Sequence, residues 1–235
     1  AGTDSWFYVS YDRCQSWEGP YDLPMFGLPG VEARTDYLVS GPSECTLFLT
    51  AAKASGDEGG GIFCARTSDG GKTFERLSWV TRSEDGFAIM PSSVRLSESR
   101  LLCAARCREK GVFNQADNWI DLFISDDNGM SWSHLSRPAP DTGKGGNPPA
   151  LVNLRDGRLC LVYGYRDQPF GMRARVSADE GQTWGDVIVL RDDGGNHDIG
   201  YPRAVQRPDG QIVTVYYYNQ DPEGERYIGA TIFQP

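Results

Sequence analysis

The sequence predicts an all-β domain built as a propeller of four-stranded blades. Three observations carry that prediction: a turn motif that recurs four times, a strand pattern that recurs with it, and a composition rich in glycine and aromatic residues. The motif is Ser-x-Asp-x-Gly-x-Thr-Trp. Its best copy is Ser177, Asp179, Gly181, Thr183, Trp184; the others are Ser125 to Trp132, Thr67 to Phe74 and Ser10 to Trp17. The aspartates Asp12, Asp69, Asp127 and Asp179 are spaced by 57, 58 and 52 residues. A fixed period of about 50 residues marks a repeat architecture, propeller blades among them. The 28 Gly, 14 Pro, 10 Phe, 11 Tyr and 6 Trp, with no long helical pattern, fit strands joined by tight turns.

The motif is a hairpin connector. An Asp carboxylate accepts hydrogen bonds from backbone N–H groups just ahead of it. Gly supplies a positive φ. The Ser or Thr hydroxyl adds a further bond, and the aromatic packs on the neighbouring blade. These aspartates are therefore read as structural. In the first copy Cys14 stands where the others have Gly, so that turn is expected to be bent.

Each period reads as four strands, with the motif joining the third to the fourth. The clearest blade has Pro149–Leu154, an Asp156-Gly157 turn, Arg158–Tyr165, Gly171–Ser177 and Trp184–Leu190. The same order fits Ala88–Leu96, Leu101–Arg106, Trp119–Ser125 and Ser131–Ser136. It fits again at Thr35–Val39, Cys45–Ala52, Gly61–Thr67 and Thr73–Val80. The last three strands are Tyr201–Gln206, Gln211–Tyr218 and Arg226–Phe233, and the first, Trp6–Ser10, reads as a third strand. Because both ends carry a third strand, they do not complement each other simply. The expectation is a single domain over residues 1–235, the C-terminal part of a six-bladed propeller; the alternative is an irregular five-bladed ring.

Net charge is −9 and the isoelectric point about 4.8, which argues against a general binder of nucleic acid or anionic membrane. Arginine outnumbers lysine 19 to 4, and its planar fork suits carboxylates. No apolar run is long enough to span a membrane, and no signal peptide is visible. The six cysteines lack zinc spacing, and no carboxylate run has calcium-ligand spacing, so no metal or other cofactor is expected. Cys103 and Cys107 share a strand face, too straight for an easy disulfide. Free, mostly buried thiols lean toward a reducing compartment.

The repeated turns and the segment from Asp198 through Gly200-Tyr201-Pro202-Arg203 to Asp209-Gly210 resemble the sialidase (neuraminidase) superfamily, over nearly the whole chain. The resemblance implies an exo-acting, retaining glycoside hydrolase. The substrate it implies is a carbohydrate, in the family's form a glycan carrying sialic acid. Because sialic acid has a carboxylate on its anomeric carbon, a neutral Tyr attacks in place of a carboxylate. Arginines grip the substrate carboxylate. Carried over by position, Tyr201 matches the nucleophile and Arg106 an arginine at a strand end. A further arginine falls near Phe170, so that role passes to Arg166 or Arg173. Arg203, Asp198 and His197 flank Tyr201 and join the substrate-binding set; His197-Asp198 reads either as acid–base machinery or as a turn cap. The carboxylate that would activate Tyr201 falls near Met90-Pro91, where none exists, leaving Glu84 or Asp85 as substitutes. Asn118 and Trp119 read as a sugar platform or as buried blade residues, and His134 shows no partner. The alternatives are a non-catalytic propeller that binds carbohydrate or protein, and a hydrolase of a different sugar.

Overall fold

The structure, a computed structural model, describes residues 4–55, 59–83, 85–109 and 117–235. Every described element is a strand, and every sheet an antiparallel meander. A ribbon, β1 (Trp6–Val9) and β2 (Glu18–Asp22), comes first. Blade one is β3 (Val31–Val39), β4 (Cys45–Ala51), β5 (Gly61–Thr67) and β6 (Glu75–Arg82). Blade two is β7 (Phe87–Arg95), β8 (Leu101–Arg108), β9 (Asn118–Ser125) and β10 (Ser133–Ala139). Blade three is β11 (Ala150–Asn153), β12 (Leu159–Tyr165), β13 (Gly171–Ser177) and β14 (Ile188–Arg191). A three-stranded sheet, β15 (Gly200–Gln206), β16 (Ile212–Tyr218) and β17 (Tyr227–Phe233), follows as blade four. The first strands β3, β7, β11 and β15 stand side by side in that order, the arrangement of a β-propeller. The β1–β2 ribbon forms its own sheet and adds no strand to β15–β17.

The motif turns form as their chemistry requires. In the third full copy, Asp179 Oδ1 accepts the Thr183 N–H at 2.9 Å and the Ser177 hydroxyl at 2.8 Å, and Ser177 Oγ accepts the Gly181 N–H at 2.9 Å. Asp69 and Asp127 repeat the pattern. So does Asp12, contrary to the expected distortion: Cys14 takes the turn with φ 67° and donates its N–H to Ser10 Oγ at 2.7 Å. These bonds hold all four carboxyls down at about 2. Trp132 meets Phe48 of blade one edge-on, and Trp184 donates to Ser136 Oγ of blade two at 3.3 Å. Each aromatic thus staples its blade to the preceding one.

The core lies between blades rather than within them. Phe48, Ile62, Leu101 and Cys103 fill the gap between blades one and two; Leu102, Leu122, Leu159 and Leu161 fill the next; Met172, Ile199, Ile212 and Tyr218 fill the third. The expected free thiols are present: all six cysteines are unpaired, and Cys64, Cys103, Cys107 and Cys160 are buried, which raises their pKa values. Near the axis, side chains stitch the first strands together. Asp36 of β3 accepts the Ser93 N–H of β7 at 2.5 Å, and Ser92 Oγ accepts the Leu151 N–H of β11 at 2.9 Å. Asn147, just before β11, bonds across to β15.

Candidate functional site

The first strands are bulged where they open on the axis. The ladder shifts between Glu32 and Asp36, between Ile89 and Ser92, and between Gly200 and Arg203. Two of these bulges place a non-glycine residue at positive φ directly before a proline: Met90 at 53° and Tyr201 at 54°. A following proline itself disfavours helical backbone, so these positions store roughly 1–3 kcal/mol each of the strain that collects at functional sites.

Asn147 holds the Tyr201 bulge in place. Fully buried, it donates from Nδ2 to Ile199 O at 3.0 Å and accepts at Oδ1 from Gly164 N at 3.1 Å and Tyr201 N at 3.2 Å. A Cβ at Gly200 would lie 2.2 Å from Asn147 Nδ2, so that position has room only for glycine.

Tyr201 is 42% exposed and lines a cavity of about 270 Å³ between the first strands, with Arg34, Met90, Pro148 and Arg203. Two arginines converge on it. Arg106, at the inner end of β8 and buried, sets Nη1 3.5 Å from the Tyr201 hydroxyl and 3.3 Å from Met90 Sδ, while Nη2 donates to Gly145 O. Burial pushes the Arg106 pKa down to about 10; the tyrosine opposes this and the charge on Arg166 adds to it. Arg106 is still cationic at neutral pH. Arg166, just beyond β12, places its guanidinium carbon 5.5 Å from the Tyr201 ring centroid. It donates from Nε to Ile199 O at 3.0 Å and from Nη2 to the Tyr217 hydroxyl at 2.7 Å. That hydroxyl donates to Asp198 Oδ1 at 2.8 Å, and Arg226 donates to Asp198 Oδ2 at 2.9 Å. Burial raises the Asp198 pKa, but the bonds from Tyr217 and Arg226 and the nearby arginine charges outweigh it, and the net shift is downward.

Tyr201, Arg106 and Arg166 are thus brought together, with Asp198 one hydroxyl behind them. Arg203 is exposed at the cavity wall, its charge close enough to lower the pKa of Asp36, which burial otherwise raises. Arg173 lies elsewhere. It donates to the carbonyls of Met172, Arg191 and Pro169 and sits over the Tyr165 ring. The reason is topological: β13 is a third strand, remote from the axis, whereas Arg166 leaves β12 beside a first strand. His197 is exposed, and both Asp198 oxygens are taken by other partners. Asp85 lines a separate concavity with Arg82, Arg108 and Trp119; Glu84 and the loop 110–116 lie outside the described residues. Trp119 donates to Asp121 at 2.6 Å, and His134 finds that same carboxylate at 3.2 Å. Among the described residues no cluster of His, Cys, Asp or Glu could hold a metal ion.

Residues 2–214 match the family model described as BNR repeat-like domain. The chain belongs to the BNR repeat-like family. Its propeller is of the Asp-box kind, and the turns at Asp12, Asp69, Asp127 and Asp179 are the repeats themselves. No curated protein sequence matches this BNR-repeat propeller. Among solved structures it resembles a protein of unknown function from Dyadobacter fermentans DSM 18053, with 25% identity and a TM-score of 0.78 over 96% of this chain and 62% of that one. It also resembles the GH93 alpha-L-arabinofuranosidase of Fusarium graminearum, solved with arabinobiose: 18% identity, TM-score 0.61, covering 85% and 61% of the two chains. A third is the NanB sialidase of Streptococcus pneumoniae, at 16% identity and TM-score 0.63, covering 95% and 34%. The BNR-repeat propeller described here therefore spans less than two thirds of the length of each.

The sequence passed over Asn147, Tyr217 and Arg226. Tyr217 lay in plain view in the run Tyr216-Tyr217-Tyr218, where alternation along β16 sends the middle ring away from its neighbours.

Proposed function

We propose that this propeller is a glycoside hydrolase whose substrate is a glycan ending in an acidic sugar, bound at the axial cavity around Tyr201. The observation that carries the reading is the placement of a partly exposed tyrosine with its hydroxyl beside one buried guanidinium and a second guanidinium under its ring. Two cations that meet at Tyr201, which lines the cavity, suit a carboxylate, which takes charge-assisted, bidentate hydrogen bonds from arginine. Arg203 and Arg34, the latter paired with Glu32 at 3.4 Å, also line the cavity. A carboxylate on or beside the anomeric carbon would repel an anionic nucleophile, so attack by Tyr201 oxygen fits such a substrate. The Tyr201 oxygen would bond the anomeric carbon as the glycosidic bond breaks, its proton passing through water to the departing oxygen, and a second water would then cleave the glycosyl–tyrosine bond with net retention and restore the phenol. Sialic acid is the finer form of this proposal. The resemblance to a sialidase and to an arabinofuranosidase supports the hydrolase class.

One observation favours a second reading, a non-catalytic carbohydrate-binding propeller. Met90 Sδ, not a carboxylate, faces Arg106 at the bulge nearest Tyr201. Among the described residues no carboxylate hydrogen-bonds the Tyr201 hydroxyl. A panel of fluorogenic glycosides, sialosides and uronides included, separates the readings. Turnover that disappears in Tyr201→Phe supports the enzyme. No turnover by the folded protein, with acid-sugar binding that Arg106→Met abolishes, supports the binding propeller. Neither turnover nor binding refutes both. Met90→Glu, which puts a carboxylate opposite Tyr201, is expected to raise turnover only if Tyr201 is the nucleophile.

A further inference from the structure

Beyond Tyr201 and the two arginines, blade four carries a polar relay that reaches the site from behind. Asp198 sits at the mouth of β15, Tyr217 near the end of β16 and Arg226 just before β17; Arg166 comes from blade three. We propose, building on the acid-sugar reading above, that Tyr217 is a positioning residue: its hydroxyl, set between Asp198 and Arg166, fixes the Arg166 guanidinium beneath the Tyr201 ring in the orientation that receives the ligand carboxylate.

The geometry argues this in three steps. First, the Tyr217 proton is committed to Asp198 at 2.8 Å, so its oxygen faces Arg166 as an acceptor, and the bond from Arg166 Nη2 is short at 2.7 Å. Second, the guanidinium is planar, so two fixed donors, Nε on Ile199 O and Nη2 on Tyr217, define its whole plane. Among the described residues Nη1 takes no protein acceptor, which leaves one donor edge for a ligand. Third, the relay is itself anchored: Arg226 holds the second oxygen of Asp198 at 2.9 Å, and the Tyr217 ring lies 5.7 Å from that of Tyr201. The charged or ionisable groups facing Tyr217 are Asp198, Arg166 and Tyr201; with the side chain half-buried and Asp198 adjacent, its hydroxyl stays protonated well above the ordinary tyrosine range.

The test uses Tyr217→Phe, with Tyr216→Phe as control. Tyr216 is buried one residue away and bonds Thr231 instead, so a merely structural loss would follow both variants. Binding of N-acetylneuraminic acid and of glucuronic acid is measured by calorimetry. Tyr217→Phe is expected to weaken the acid that binds by about tenfold, the size of one net hydrogen bond to a charged group, and Tyr216→Phe to leave it unchanged. The second readout needs no ligand: nitrogen-15 NMR of the Arg166 Nε–H, whose exchange with solvent is expected to quicken about tenfold in Tyr217→Phe as the second anchor is lost. Equal affinity and equal exchange in Tyr217→Phe and wild type overturn the relay, even where Arg166→Met abolishes binding and so upholds the site. Failure of wild type to bind either acid counts against the acid-sugar reading, and the exchange rate alone then decides the relay.

Discussion

Replacing Asn147 by alanine tests whether one carboxamide sets the Tyr201 bulge. The side chain is fully buried and makes three hydrogen bonds across two blades. Its loss leaves the N–H groups of Gly164 and Tyr201 without an acceptor. Ile199 O keeps its bond from Arg166 Nε at 3.0 Å. An orphaned buried group costs roughly 1–3 kcal/mol, so two give about 2–6 kcal/mol; partial hydration of the vacated space favours the lower half, about 3 kcal/mol. For a domain of this size each kcal/mol lowers Tm by roughly 2–4 °C, so the melt should fall by roughly 6–12 °C. Urea unfolding, read by tryptophan fluorescence beside a thermal melt, gives both numbers. Asn147→Asp keeps both acceptors but turns the group facing Ile199 O into another acceptor, and should cost nearly as much. A loss below about 1 kcal/mol in Asn147→Ala would show that the bulge stands without the clamp.

Other expectations follow from the turns and the site. The four Asp-box carboxyls fall from 3.8 to about 2 in the folded protein. A depressed folded pKa stabilises above the unfolded value and is lost as pH falls through the folded one. The urea midpoint should therefore hold down to about pH 4 and drop toward pH 2, and Asp179→Asn should flatten that drop; an unchanged slope would count against it. Gly181 has φ 89°, and a Cβ there would lie 2.5 Å from Leu122 Cδ2, so Gly181→Ala should lose about 1–3 kcal/mol in the same assay. At Gly157, where the positive φ remains but open space surrounds the site, alanine should cost less; equal losses would refute the role given to the inter-blade contact. Arg106→Met should abolish acid-sugar binding, whereas Arg173→Met, whose guanidinium among the described residues serves backbone carbonyls and Tyr165, should leave the affinity within about twofold.

The parts of the fold legible in the sequence are those built from local chemistry. The Asp-box turns span eight residues and carry their own hydrogen bonds, so the motif located all four, including the one with Cys14. Strand order followed from the period. Where the sequence missed, distant contacts had intervened. The fourth strand of blade three begins at Ile188 rather than at Trp184, because Trp184 is drawn onto Ser136 of blade two and Gly185 still bonds Val176. Tyr201 and Arg106 were legible through resemblance, and Arg166 only as one of two choices. Periodicity cannot say that Arg166 leaves its strand beside the axis while Arg173 does not. Asn147 and Tyr217 act through partners on other strands, up to 54 residues away, and no local pattern encodes such a meeting.

The axial cavity at Tyr201 is the carbohydrate site we propose. A crystal structure of the protein with N-acetylneuraminic or glucuronic acid tests it most directly. The sugar is expected in that cavity, its carboxylate on Arg106 and Arg166 and its ring against Tyr201. A sugar bound elsewhere, with these three side chains untouched, would contradict it.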